Sequence, residues 1–297
     1  MKHIIDSIRG LCMALADSVP GVSGGTIAFI LGFYDKFINS IDDLISGNKE
    51  ERISAIKFLI RLGIGWAIGM ILAILFLANI FESQIYAVSS VFLGFIVFAI
   101  PVIIREEKES LKGKYKYLIF TLIGIAIVAA ITFFNPVSGS GTNVEVSNLS
   151  IGLCVYVFIS AMIAISAMVL PGISGSTLLL IFGLYLPIVN AIKEFLHMNF
   201  AYFPILVIFG LGMIAGALLV IKLIKMALKK FRPQTIYLVI GLMIGSLYAI
   251  VMGPQTLEIP QAPMNLSTFS IIFFALGGII IFGLEKAKTF LEGKEEK

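Results

Sequence analysis

Two stretches 151 positions apart hold the residues able to do chemistry in this 297-residue chain: "PGVSGGT" from Pro20 and "PGISGST" from Pro171. Over residues 20–41 and 171–192, ten of 22 aligned positions are identical: Pro20/Pro171, Gly21/Gly172, Ser23/Ser174, Gly24/Gly175, Thr26/Thr177, Ile30/Ile181, Gly32/Gly183, Tyr34/Tyr185, Asn39/Asn190 and Ile41/Ile192. Pro-Gly stops a helix, and the Ser, Gly and Thr that follow favour its restart. A restarted helix presents unpaired amide N–H groups and the positive end of its dipole, which together seat an anion. The candidate anion-binding set is Gly21, Ser23, Gly24, Gly25 and Thr26 in the first copy, with Gly172, Ser174, Gly175, Ser176 and Thr177 in the second. A single break of this kind reads as a packing kink whose hydroxyls return to their own helix. Two matched breaks read as a binding site, because discontinuous helices in both halves of a chain are a transporter signature.

The copies differ at one chemically important position: Asp17 precedes Pro20 by three residues, where the second copy has Met168. A carboxylate at the C-terminal end of a broken helix faces the negative end of the dipole, and burial further opposes its charge. Asp17 therefore reads either as a carboxyl neutralised by a proton or a cation, a candidate site for coupling transport to a gradient, or as a cap on the turn amides. Tyr34 and Tyr185 could each bring a polar tip to the site or serve as interfacial tyrosines. Asp35, Lys36 and Arg61 fall near the membrane interface, and Arg61 could snorkel outward or reach inward as an accessory group. Cys12 and Cys154 sit in apolar sequence without a second ligand type nearby, so no disulfide framework, metal site or cofactor is expected.

The elements that must position these residues follow from composition. Apolar residues form 59% of the chain and charged residues only 13%, too few to solvate a water-soluble surface of this size. Apolar runs long enough to cross a hydrocarbon core extend over 57–79, 85–104, 117–134, 203–221, 235–252 and 268–284. Asp6 and Arg9 interrupt the run that a cleaved signal peptide would need, so the N-terminal segment is read as retained. Lys and Arg cluster in 105–116, 222–232 and the C-terminal tail, whereas 81–84, 135–150 and 253–267 have neither. By the positive-inside rule the first group is cytoplasmic, the second external, and both termini lie inside. The net charge of +4 thus belongs to membrane topology and gives no reason to expect a nucleic-acid partner.

With the sides assigned, the expected fold is an all-α polytopic membrane protein built as an inverted-topology repeat. Each half is a re-entrant, broken helical hairpin followed by three transmembrane helices. The first repeat covers 1–134 with its hairpin at about 4–45, an external linker covers 135–149, the second repeat covers 150–285 with its hairpin at about 151–196, and 286–297 form a cytoplasmic tail. Three spans per half is an odd number, which gives the halves opposite orientation. Gly63, Gly65, Gly69 and Gly94 match Gly210, Gly212, Gly216 and Gly241 at a constant offset of 147, a spacing suited to close helix packing.

The pairing of "ADSVPGVSGGT" with "LPGISGST" resembles the bacterial polyprenyl-phosphate translocase family. The resemblance covers essentially the whole chain and implies an inner-membrane flippase that returns undecaprenyl phosphate from the outer to the inner leaflet for peptidoglycan and other envelope polymers. It carries a motif role over to Asp17, Pro20, Gly21, Ser23, Gly24, Gly25 and Thr26, and to Pro171, Gly172, Ser174, Gly175, Ser176 and Thr177. The alternatives are a transporter of a small soluble anion and an integral-membrane polyprenyl pyrophosphate phosphatase. Phosphatases of that kind carry a PGxSRSxxT motif and an acidic pair, but Gly24 and Gly175 stand at the arginine position here. Without that guanidinium there is no bidentate clamp for charge on a transferring phosphoryl group, so binding without catalysis is expected.

Overall fold

The computed structural model describes residues 2–17, 23–73, 78–133, 150–173, 175–256 and 260–292, and among them every regular element is helical. The first half contains α1 (Lys2–Asp17), α2 (Gly24–Ile30), α3 (Tyr34–Ser46), α4 (Lys49–Leu72), α5 (Ala78–Glu106), the single turn α6 (Lys108–Leu111) and α7 (Leu118–Phe133). The second contains α8 (Ile151–Val169), α9 (Gly175–Ile181), α10 (Tyr185–Leu196), α11 (Phe203–Lys230), α12 (Arg232–Met252) and α13 (Ile271–Glu292). The 135–149 linker and the end of the tail lie outside the described residues.

Helix boundaries follow local signals. Asn48 caps α4, accepting from Glu50 and Glu51 N–H while the Glu51 carboxylate accepts from Asn48 N–H. This capping box starts the helix at Lys49, two turns before the apolar run that marks the span at residue 57. Pro233, in the first turn of α12, lacks only an N–H that a helix start leaves unpaired. Between α2 and α3, and again between α9 and α10, the chain turns through Gly32 (φ 68°) or Gly183 (φ 64°), with Phe33 N–H on Ala28 C=O and Leu184 N–H on Leu179 C=O. The identity of these two glycines is thus explained by a left-handed turn used twice.

Six described helical segments are long and apolar enough to cross a membrane: Lys49–Leu72, Gln84–Glu106, Tyr115–Phe133, Ile151–Val169, Phe200–Lys230 and Arg232–Gln255. Five coincide with the sequence expectation, but the sixth does not. The apolar described part of α13, Ile271–Gly283, falls short of that length, whereas α8 reaches it. At about 1.5 Å per residue the 19 residues of α8 extend about 28 Å, close to the hydrocarbon thickness, so this arm is longer than a shallow hairpin needs. No charge interrupts it, in contrast to Asp6 and Arg9 on α1. The outer surface matches this setting: Ile60, Ile64, Ile68 and Ile71 form an exposed stripe along α4. This is a polytopic membrane protein.

The helices meet in four close seams made by glycine. A Cβ on Gly69 would lie 2.7 Å from Leu11 C=O, and the backbone of Ser7 presses on Gly65, which joins α4 to α1. Gly212 against Phe158 and Gly216 against Met162 join α11 to α8 in the same way. Gly94 meets Phe274 between α5 and α13, and Gly241 meets Thr121 between α12 and α7. Three of the four glycine pairs seen in the sequence therefore mark close packing. Gly63 and Gly210 do not, because a Cβ at either would have no neighbour within 4 Å.

Ion pairs gather charged segments at one end of the molecule. Arg232, at the start of α12, makes a two-pronged contact with Glu107 just beyond α5 and also reaches Asp35 of α3 at 3.0 Å. Lys225 of α11 donates to Asp42 of α3 at 2.6 Å, and Arg105 pairs with Glu285 of α13. These contacts bring segments 105–116 and 222–232 together with α3 and with α13 just before the tail.

Candidate functional site

At the first break α1 ends at Asp17 and α2 begins at Gly24. Ser23 is the N-cap, extended at φ −129° and ψ 151°, and its hydroxyl accepts from Thr26 N–H. The adjacent acid reaches the same end: Gly24 N–H donates to Asp17 Oδ1 at 2.6 Å. Trp66 of α4 donates its indole Nε1–H to Asp17 Oδ2 at 3.0 Å. The start of α2 is therefore already occupied by the protein's own carboxyl group, which ties α1, α2 and α4 together.

The second break meets the first directly. Leu170 closes α8 in extended backbone, and Gly172 follows at φ 87°, buried against the backbone of Leu242 in α12. Gly172 N–H donates to Thr26 Oγ1 at 2.8 Å, and Ser23 Oγ donates to Leu170 C=O at 3.2 Å. The two hydroxyl oxygens lie 3.1 Å apart. Since the Ser23 proton points to Leu170, the Thr26 proton completes that contact, and both hydroxyls are committed within one buried network. Tyr34 O–H extends it, donating to Val169 C=O at 3.2 Å. Gly25 passes so close that a Cβ there would lie 2.5 Å from Val169 C=O.

Beside this junction is a cavity of about 270 Å³ lined by Met13, Asp17, Gly24, Gly25 and Trp66 from the first half and Met168 from the second, among others. Its walls are apolar apart from the Asp17 end. This volume lies just below the ~300–1,000 Å³ usual for small-molecule sites, suited to a head group rather than a long chain. The sequence difference at 17/168 reappears as geometry. A Cβ on Gly24 would lie 2.8 Å from Asp17 Oδ2, and one on Gly175 would lie 3.1 Å from the Met168 side chain. One half-helix start faces the carboxyl of Asp17 and the other the Cβ of Met168.

Asp17, Ser23, Gly24, Gly25, Thr26, Tyr34 and Gly172 are thus brought together, with Gly175 packed on Ala164 of α8 behind Met168. Tyr185 is 38% exposed, and Arg61 lies toward Asp6, 3.9 Å away. Pro20, Gly21 and Ser174 lie outside the described residues, as do the side chains of Ser176 and Thr177. Trp66 escaped the sequence reading. Its signal was available: a lone Trp in an apolar helix carries an indole N–H that must find an acceptor. No group of three or more metal-ligating side chains occurs among the described residues.

Residues 13–268 match the family described as undecaprenyl phosphate translocase-like. The chain is 36% identical over 282 residues to a polyprenyl-phosphate transporter of Staphylococcus aureus, covering 93% of this chain and 94% of that one. It is 31% identical over 288 residues to a polyprenyl-phosphate transporter of Vibrio cholerae, covering 91% of this chain and 87% of its relative. No solved structure matches the chain.

Proposed function

Because the chain belongs to the undecaprenyl phosphate translocase-like family, we propose that it carries polyprenyl phosphate between membrane leaflets, returning the lipid carrier to the cytoplasmic side. The observation that carries the mechanistic part of this reading is the meeting of the two breaks beside an acid-ended cavity. The phosphate takes the amide and hydroxyl donors at the breaks, and the prenyl chain stays in the bilayer. Asp17 occupies the Gly24 amide in the resting state, so the phosphate must displace it. A proton on Asp17 removes both the competing charge and one of its two acceptor oxygens. Lipid phosphate and proton then bind together, and loss of the proton on the other side returns the carboxylate to the amide and expels the phosphate. The enzyme alternative gains no support from the site, where Gly24 faces Asp17 and no described guanidinium reaches the breaks.

We read the architecture as an inverted repeat of two re-entrant hairpin units. Two observations support it. The close seams α1–α4 and α5–α13 have counterparts in α8–α11 and α12–α7 when the halves are exchanged. In addition, α12 begins beside Glu107, where its counterpart α5 has just ended, so the two run in opposite directions. The charged end is the cytoplasmic end. With Cys12 and Cys154 replaced by serine, cysteines at Ser138 and Gln261 should react with impermeant maleimide on intact cells, whereas one at Lys112 should react only after permeabilisation. The reverse pattern would overturn the orientation.

The functional reading is tested with purified protein in liposomes holding fluorescent undecaprenyl phosphate in one leaflet. The expected result is protein-dependent movement to the other leaflet without release of inorganic phosphate when the pyrophosphate form is supplied. Robust phosphate release would move the assignment to the phosphatase, and uptake of free anion without lipid movement would move it to a soluble-anion transporter.

A further inference from the structure

Away from the breaks, at the charged end of the first hairpin, three cations surround one acid. Asp6 of α1 is almost fully buried, its side chain 5% exposed. Arg9 lies 3.3 Å from it, Lys36 of α3 3.6 Å and Arg61 of α4 3.9 Å. Only the Arg9 contact is a hydrogen bond. Three positive charges against one negative leave the cluster at +2, with most of its N–H donors unused by Asp6. Packing holds the cations in place: the Arg9 guanidinium stands 5.0 Å from the centre of the Phe33 ring and the Lys36 ammonium 4.1 Å from that of Phe58. A buried acid that gathers more positive charge than it neutralises prepares a site for a second anion.

The cluster stands at the approach to the cavity. Arg9, Met13 and Asp17 follow one another at four-residue intervals on a single face of α1. Met13 and Asp17 line the cavity, as do Phe37 and Leu62, the chain neighbours of Lys36 and Arg61. Gly63 completes this wall on α4, exposed and with open space where a side chain would be. It lies between Ile60 and Ile64 of the lipid-facing stripe, so the cavity wall is lowest where the bilayer begins. A ligand fitting both features has an anionic head and an apolar chain.

We propose that Arg9, Lys36 and Arg61 form a docking site for the phosphate monoester head of a membrane lipid, with the first part of its chain passing over Gly63. It rests on the translocase reading and adds to it a waiting station at the charged end, from which the head group passes along the Arg9–Met13–Asp17 face to and from the breaks. Lys36 is 53% exposed and Arg61 29%, so the site is open on one side while Asp6 beneath it is closed. A free phosphate would meet the same cations but gain nothing from the apolar wall.

The test uses the full protein in nanodiscs of neutral lipid, titrated with a fluorescent polyprenyl phosphate, the corresponding polyprenol and inorganic phosphate. Lys36→Gln is expected to weaken polyprenyl phosphate binding about threefold, and Lys36→Gln with Arg61→Gln at least tenfold. Lys49→Gln removes an exposed charge from the start of α4, three turns from Arg61, and should change binding less than twofold. Polyprenol binding should be unchanged in all variants, and the affinity for polyprenyl phosphate should fall with salt more steeply in wild type than in the double variant. Equal affinity in the double variant and Lys49→Gln would overturn the docking site while leaving translocation by the wild type intact. Full displacement of the lipid by inorganic phosphate at comparable concentration would overturn its lipid character. If the wild type bound no polyprenyl phosphate, the translocase reading itself would fall. The single Lys36→Gln change lies on the surface, so it keeps the comparison informative if the double variant folds poorly.

Discussion

Ser23→Ala combined with Thr26→Val should abolish lipid translocation and also lower the melting temperature of the detergent-solubilised protein. The sequence alone leads to the first half of this expectation, since hydroxyls at an anion site each contribute about 1.5–3 kcal/mol as charged hydrogen bonds. Loss of both weakens phosphate binding by at least tenfold. The structure adds the second half. In the resting arrangement the same hydroxyls hold the other break, Ser23 through Leu170 C=O and Thr26 through Gly172 N–H. Both side chains are buried, 1% and 0% exposed, so no water replaces what is removed. An orphaned buried donor or acceptor costs about 1–3 kcal/mol, which sets the loss at about 2–6 kcal/mol for the pair. Thr26→Ser retains the oxygen and should preserve most of the stability, separating the hydrogen bond from the packing of the methyl group. A double variant as stable as wild type but unable to bind lipid phosphate would show that the junction contributes nothing to the fold. Normal binding and transport would reduce the breaks to kinks.

Thr26 also shows how far local sequence reaches. Pro-Gly, Ser and Thr declare a helix break and its N-cap within a few residues, and repetition at a fixed offset declares that the break matters. The partner of Thr26 is 146 residues away, and nothing near it says that Gly172 N–H is the group it accepts. The same holds for Asp17, whose capping bond to Gly24 is local and legible, but whose second donor, Trp66, depends on how α1 lies along α4. That alignment was partly visible as Gly65 and Gly69, while Gly63 looked identical in the pattern and proved to face open space. Periodicity reports that small residues recur; only the packing reports which of them a neighbour fills. Charge was legible by a different route. Lys and Arg counts predicted which segments share a side, and the pairs Arg232–Glu107, Arg232–Asp35 and Lys225–Asp42 join those segments. In the sequence Asp6 and Arg9 interrupt an apolar run, but their relation to Lys36 and Arg61 exists only once α1, α3 and α4 are assembled.

Asp17→Asn should leave a protein that still binds polyprenyl phosphate but whose transport no longer responds to an imposed pH gradient. The reason lies in the two oxygens. An ionised carboxylate accepts from Gly24 N–H with one and from Trp66 Nε1–H with the other. Protonation puts a hydrogen on one oxygen and makes it a poorer acceptor, so one of the two bonds is weakened. On the proposed coupling, proton uptake on Asp17 would loosen the α1–α2–α4 junction at the place where the phosphate would need the Gly24 amide, and proton release would tighten it. Asparagine fixes the loosened form: its carbonyl satisfies one partner and its amide confronts the other, whatever the pH. Gradient-driven movement in Asp17→Asn liposomes should thus fall to the rate seen without a gradient. Trp66→Phe supplies the contrast, because it removes one donor but leaves the carboxyl free to gain and lose its proton. That variant should be less stable, by about 1.5–3 kcal/mol for a hydrogen bond to a charged group, yet its transport should remain responsive to the gradient. If Asp17→Asn moved lipid at the wild-type rate under a gradient, the proton role would be excluded and the carboxylate would be a cap alone. If Trp66→Phe lost the gradient response as well, the coupling would reside in the junction as a whole, with the indole holding the acid where its proton can act.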